Sequence, residues 1–337
     1  TCALPIFYPD SIPVDWTAKW IGKQREELSL LAHQINRSLF EQGWIRYDAK
    51  AGNFSLHRLK QEWLRKENPC PPETLDKAIS FLASLVEGLE SYDTLESNTS
   101  AWKMLKEWGP HAEWILSNSF SIRPSPSLIR LYNVLGNFYF VLYWDLEKAL
   151  SYYELALKTQ KLIFGNEISL ECARIHCNAS AVLNHLHRWE EAMTRLNVAH
   201  SICEARSGKA SEEMRVGILR GMGWISYRQY KYDQALNYLD MALEIGKTIQ
   251  GSSREAEIEI LKVMGFCWGE GRRDFQKASL YLSQALQRDK HLYGDQPTAQ
   301  KIYICSYMAY ASLKVGALQE ALSFAKRRSE EHTSELQ

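Results

Sequence analysis

Along most of this chain the apolar residues recur at steps of three and four, the period of helices with one packed face, rather than alternating as in strands. From about residue 125 the pattern also repeats at long range. Ala149, Ala192, Ala235, Ala278 and Ala321 stand 43 residues apart. Seven positions after the first four come Ala156, Ala199, Ala242 and Ala285, and between them Tyr153, Leu196, Leu239 and Leu282. Ala, a bulky residue four later and Ala three after that share one helical face. The small residues let a neighbouring helix approach, and the large one fills the gap. Gly165, Gly208, Gly251 and Gly294 keep the same step, where this helix should stop in a left-handed residue. A further small residue marks the helix before it: Gly136, Ser180, Gly223, Gly265 or Ala309. The unit is therefore helix A, short turn, helix B, short link. The prediction is a mainly all-α fold, a solenoid of antiparallel helix pairs over 125–327, with the last repeat stopping partway through its helix B.

Residues 1–68 do not follow the repeat. Pro9-Asp10-Ser11-Ile12-Pro13 reads as a helix start, with Asp10 or Ser11 at the cap and Pro13 in the first turn. Leu28, Leu31, Ile35 and Leu39 make an amphipathic helix face that Gly43 ends. Trp44–Tyr47 and Phe54–His57 read as two short strands around a hairpin loop, and a helix is expected over 58–66. Helices followed by a hairpin form a winged-helix-like pattern. Residues 69–124 read as a connector: a stripe from Leu75 to Leu89, then Trp102, Leu105, Trp108, Ile115 and Leu116, which suggest a second helix pair. His111 reads as a packing or capping residue.

Composition narrows the function. The chain has 337 residues, with 40 basic and 40 acidic, so it carries no electrostatic footprint for nucleic acid or anionic lipid. No apolar run approaches the roughly 20 residues that span a bilayer, so no membrane partner is expected. The seven cysteines are odd in number and contain no C-x-x-C, which reads as free thiols in a reducing, cytoplasmic setting with no metal site. His185 and His187 are two apart, which on a helix turns the rings away from each other. No phosphate-binding G-x-x-x-x-G-K-[ST], nucleophile elbow or zinc-protease motif occurs, so no catalytic residue and no cofactor are assigned. Most of the Trp and Tyr residues, such as Trp224, Tyr227, Tyr230 and Tyr232, read as core. Residues 328–337, RSEEHTSELQ, read as a translated sequencing adapter and are left out of the fold. With no initiator Met, the true N-terminus is expected upstream.

Leu135-Gly136-x2-Tyr139 followed by Ala149-x3-Tyr153-x2-Ala156 resembles the tetratricopeptide signature, with one extra residue between its halves. The 43-residue period, with RWEEAM, KYDQAL and ALQEAL, is similar to the kinesin-light-chain subgroup. PDSIP, GWIRYD, FSLHRLKQEWLR and WGPHAEWIL resemble the winged-helix region between the nucleotide-binding core and the repeats of NB-ARC-type STAND NTPases. That resemblance implies an NTPase core in cis upstream. It also implies that His57, in Leu56-His57-Arg58, contacts an ADP phosphate, with Arg58 standing where the family has Asp. A structural histidine tying wing to helix is the other reading of His57. The tetratricopeptide resemblance implies a protein or peptide ligand gripped by the helix A wall. By register, Asn133, Asn137, Arg174, Asn178, Asn184, Arg220 and Lys262 are the groove candidates; an ordinary polar face is the alternative for each. The functions implied are a non-catalytic sensor scaffold of a STAND NTPase, a constitutive kinesin-light-chain-like adaptor, or, third, nucleic-acid binding through the winged helix.

Overall fold

The structure, a computed structural model, describes residues 12–13, 16, 19, 45–48, 53–56, 71–91, 99–118, 122–165, 169–249, 254–294 and 298–335. Its contacts divide into two compact units, Thr1–Glu167 and Ile168–Gln337. His57, the 28–39 helix face, the 58–66 helix and Gly251 lie outside the described residues.

In the first unit the hairpin is present: β2 (Ile45–Asp48) pairs antiparallel with β3 (Asn53–Leu56). The expected helix start at Pro9–Pro13 is corrected. Ile12–Pro13 is instead a short strand, β1, whose Ile12 lies opposite Phe54, giving the sheet order β1-β3-β2. A proline can sit on such an edge strand because no ladder bond is required from it. The connector holds α1 (Pro72–Leu85) and α2 (Thr99–Asn118). Here too the expectation changes. Trp102 to Leu116 form part of one helix, which runs through Pro110, not a helix pair. Trp108 is fully buried and its indole N–H donates to the Leu82 carbonyl at 2.9 Å, fastening α2 to the end of α1. His111 is buried with its ring 5.0 Å from that of Trp16, a packing role as read. The first repeat follows as α3 (Pro126–Phe138), capped by Ser125 and started by proline, and α4 (Leu146–Phe164).

The second unit contains four more A–B pairs: α5 (Leu170–His185) with α6 (Trp189–Glu204), α7 (Lys209–Arg228) with α8 (Tyr232–Thr248), α9 (Arg254–Phe266) with α10 (Phe275–Tyr293), and α11 (Ala299–Lys314) with α12 (Leu318–Glu335), the last helix B continuing through 328–335, residues expected to lie outside the fold. Within each pair the helices pack on one another, and successive pairs pack in turn. The alanine columns are the core. Ala192, Ala199, Ala235, Ala242, Ala278 and Ala285 are wholly buried. The small residue of helix A faces the bulky residue of helix B: a Cβ added to Gly136, Gly223 or Gly265 would lie within 2.7 Å of Tyr153, Leu239 or Leu282.

The turn between A and B follows a rule that residue types do not reveal. Trp144, His187, Tyr230, Arg273 and Gly316, each 43 residues after the last, all have positive φ, between 53° and 82°. The left-handed residue lets the chain reverse so that A and B can pair. Four of the five carry a side chain, at a cost on the order of 1 kcal/mol each. Tyr230 is 76% exposed and has little packing to lose. Tyr230→Gly is therefore expected to raise stability by about 0.5–1 kcal/mol, read as a higher urea midpoint at unchanged m-value.

The extra residue between the signature halves is also accounted for. From small residue to first alanine the interval is 13 residues in the repeats of Gly136 and Gly265, and 12 in the other three. In those two repeats alone the end of helix A widens into a π turn, Tyr139–Tyr143 and Cys267–Gly271. One inserted residue is absorbed without moving helix B. In both, an aspartate then caps helix B (Asp145, Asp274), and the lysine three residues later lies over the ring that opens or follows the π turn's start: Lys148 over Tyr139 at 3.9 Å, Lys277 over Trp268 at 4.1 Å.

Burial also sets a pH dependence. Among the described residues His176 on α5 has no hydrogen-bond partner for Nδ1. Burial, then the nearby Arg195 charge, lowers its pKa to about 4 from the ordinary 6.5. The unfolded chain therefore takes up the proton more readily. Stability is full above pH 6.5 and falls toward pH 4, by up to about 3 kcal/mol. His176→Gln is expected to flatten the urea midpoint across that window.

Candidate functional site

The helix A faces form the candidate site. Counting from the small residue of each helix A, positions three before, one after and four after fall on one face. In the second unit α5, α7, α9 and α11 touch in sequence, so these faces make a wall. Three before the small residue stand Cys177, Arg220, Lys262 and Ser306. One after it stand Ala181, Trp224, Phe266 and Tyr310. The wall thus sets two basic residues, Arg220 and Lys262, beside a row of three aromatics, Trp224, Phe266 and Tyr310.

The aromatic row is continuous. Trp224 lies 5.5 Å from Tyr227, Tyr227 5.9 Å from Phe266, Phe266 4.7 Å from Tyr307, and Tyr307 5.6 Å from Tyr310. Tyr227 donates to Glu270 Oε2 at 3.0 Å across the repeat boundary. Burial and then Glu270 raise the Tyr227 pKa, so its hydroxyl stays a donor. Trp224, Tyr227 and Phe266 are half-buried, Tyr310 is 44% exposed and Tyr230 is 76% exposed. The expectation that these aromatics are mostly core does not hold for them. The signal was available: each of Trp224, Phe266 and Tyr310 directly follows a small residue of the repeat.

The predicted groove residues divide by unit. In the second, Arg174 is half-buried and pairs with Glu171 at 3.5 Å. Asn178 is buried, Arg220 is half-buried, and Asn184 is half-buried with an Oδ1 that accepts no hydrogen bond among the described residues. Lys262 is only 7% exposed, and its ammonium is already spent on Glu259 at 2.8 Å and Gln300 at 2.6 Å. In the first unit Asn133 and Asn137 are wholly buried. Their amides donate to the carbonyls of Glu90 and Leu89, each at 3.0 Å, and Tyr153 donates to Asn137 Oδ1 at 2.7 Å. Arg130, three residues before Asn133, holds the Glu90 carboxylate at 3.0 Å. These two asparagines hold the backbone of this chain's own segment, so neither lines an open groove.

Among the described residues no group of three or more His, Cys, Asp or Glu side chains is placed to hold a metal ion. No described helix is long and apolar enough to cross a membrane.

The fold is shared with solved tetratricopeptide-like repeat proteins. A Rap protein complexed with competence and sporulation factor matches with TM-score 0.57 at 16% identity, over 82% of this chain and 70% of that one. The apo form of RapI matches with TM-score 0.52 at 17% identity, over 81% and 69%. A kinesin light chain from Podosopora anserina with nearly identical TPR-like repeats matches at TM-score 0.49 and 13% identity, over 62% and 96%. No family model and no curated protein matches the chain. The fold is a mainly all-α solenoid of antiparallel helix pairs of the tetratricopeptide type.

Proposed function

We propose that this protein is a non-catalytic interaction scaffold whose helix A wall in the second unit binds an extended, acidic segment of another protein. The observation that carries this reading is the first repeat, where equivalent wall positions already hold a chain segment. Arg130 takes a carboxylate, and Asn133 and Asn137 take two successive carbonyls. Arg174 and Arg220 stand at the corresponding positions, or one step along, in the second unit, with Trp224, Phe266 and Tyr310 beside them to cover apolar ligand side chains. A Rap protein carrying a bound factor on the same fold supports the reading.

The test is to pan random 12-residue peptides, an arbitrary length of about one groove's span, against the full chain. Selected peptides should be enriched in Asp and Glu. Arg220→Ala and Trp224→Ala should each weaken them about tenfold or more by fluorescence polarisation, with helical circular dichroism unchanged. Peptides without acidic preference, or indifferent to both substitutions, would refute the proposal.

A finer reading makes this chain the sensor region of a STAND NTPase. The β2–β3 hairpin and the Leu56-His57-Arg58 sequence support it over the kinesin-light-chain-like adaptor. Reading the gene upstream of Thr1 tests it, since a chain lacking G-x-x-x-x-G-K-[ST] there would leave His57 without a phosphate to bind.

A further inference from the structure

A cleft of about 480 Å³ opens in the first unit between α2 and the first π turn. Pro110, Glu113, Trp114 and Ser117 line it from α2, Phe138 from the end of α3, and Tyr139 and Tyr143 from the turn. We propose that it binds a small, uncharged, planar aromatic molecule carrying an N–H donor.

The size is that of a small-molecule site. The walls are rings. Tyr143 leans on Phe138 at 5.0 Å and on Tyr139 at 5.7 Å, yet remains 58% exposed, so its ring can serve a ligand as well as the core. The π turn creates this arrangement. In the corresponding turn of the fourth repeat Arg272 stands where Tyr143 stands here, so the ring pair is particular to the first.

The charges decide which aromatic. Among the described lining residues Glu113 is the one carboxylic side chain. Lys148 sits 2.9 Å from its Oε1, which also accepts from the Tyr152 hydroxyl at 3.3 Å. Tyr139 is a third hydrogen-bond partner of the Glu113 carboxylate, which has about four lone-pair sites. Lys148 also donates to the Tyr139 hydroxyl at 2.6 Å and lies over that ring. A cationic ligand would thus find the carboxylate neutralised and the ring already taken by an ammonium. An anion would meet Glu113. A neutral ring loses little hydration, stacks on Tyr143 and Trp114, and gives its one N–H to the acceptor site that Lys148, Tyr152 and Tyr139 leave on Glu113.

The test uses the full chain and ligand-observed NMR titration of indole. Indole should bind saturably, and 1-methylindole, the same ring without the donor, at least about fivefold more weakly. Tyr143→Ala should weaken indole by a similar factor, while Tyr230→Ala, at an exposed tyrosine elsewhere, should change nothing. Equal affinities for the two indoles, or an unchanged affinity in Tyr143→Ala, would overturn the proposal. Displacement of indole by tetramethylammonium would make this a cation site instead. Tenfold tighter binding of N-acetyltryptophanamide would assign the cleft to a partner's side chain, which also overturns it.

Discussion

Asp289→Ala is expected to cost this protein about 3–5 kcal/mol, because it strands a buried ammonium. Asp289 is wholly buried near the end of α10, and Lys301, 4% exposed, lies at the start of α11 with Nζ 3.5 Å from its carboxylate. The pair is tied into the link between the helices. Thr298 donates its hydroxyl to Asp289 Oδ1 at 3.0 Å while accepting the Lys301 backbone N–H as the cap of α11. Lys301 Nζ also donates to the Gly294 carbonyl at 3.0 Å. Removing the carboxylate leaves Lys301 charged and dry and the cap hydroxyl without its acceptor. The thermal midpoint should fall on the order of 10 °C. The double change Asp289→Leu with Lys301→Met should recover most of the loss, since an apolar pair of similar volume needs no compensation. A double variant as unstable as Asp289→Ala would show that the charges themselves hold the link.

Gly136→Ala is the second large effect, expected at about 3 kcal/mol destabilising, although alanine is the better helix former by about 1 kcal/mol. The new Cβ would lie 2.3 Å from the Tyr153 ring. Tyr153 cannot retreat. It is wholly buried, and its hydroxyl is bonded to Asn137, which is bonded in turn to the Leu89 carbonyl. The cost therefore spreads from the A–B contact to the tie with the connector. Urea unfolding of Gly136→Ala, Tyr153→Ala and the double variant measures this. The double variant should be more stable than the sum of the single losses implies, because the vacated ring makes room for the methyl. Strict additivity would mean that the two side chains do not compete for one space.

The helix-pair fold was readable from residue types because the contacts that build it are local in register. An alanine face and a facing small residue recur wherever two helices must approach closely, and Gly136 against Tyr153, or Gly223 against Leu239, realises that rule. The strands at 45–48 and 53–56 were readable within a residue for the same reason, since turn and strand preferences act over a few neighbours. The strand at Ile12–Pro13 was not, because its partner, β3, lies some forty residues away.

By itself, the sequence determined the 43-residue period, the order of A and B helices and which faces close. Tertiary structure alone decided the rest. It placed Trp144, His187, Tyr230 and Arg273 in left-handed turns, because the chain must reverse there whatever side chain it carries. It converted single insertions into π turns, because helix B is held by packing and the extra residue had to go into the end of helix A. It covered Asn133 and Asn137 with the chain's own Leu89 and Glu90, while leaving Trp224, Phe266 and Tyr310 on a wall. Exposure depends on which distant segment crosses a face, and periodicity along the chain carries no information about that.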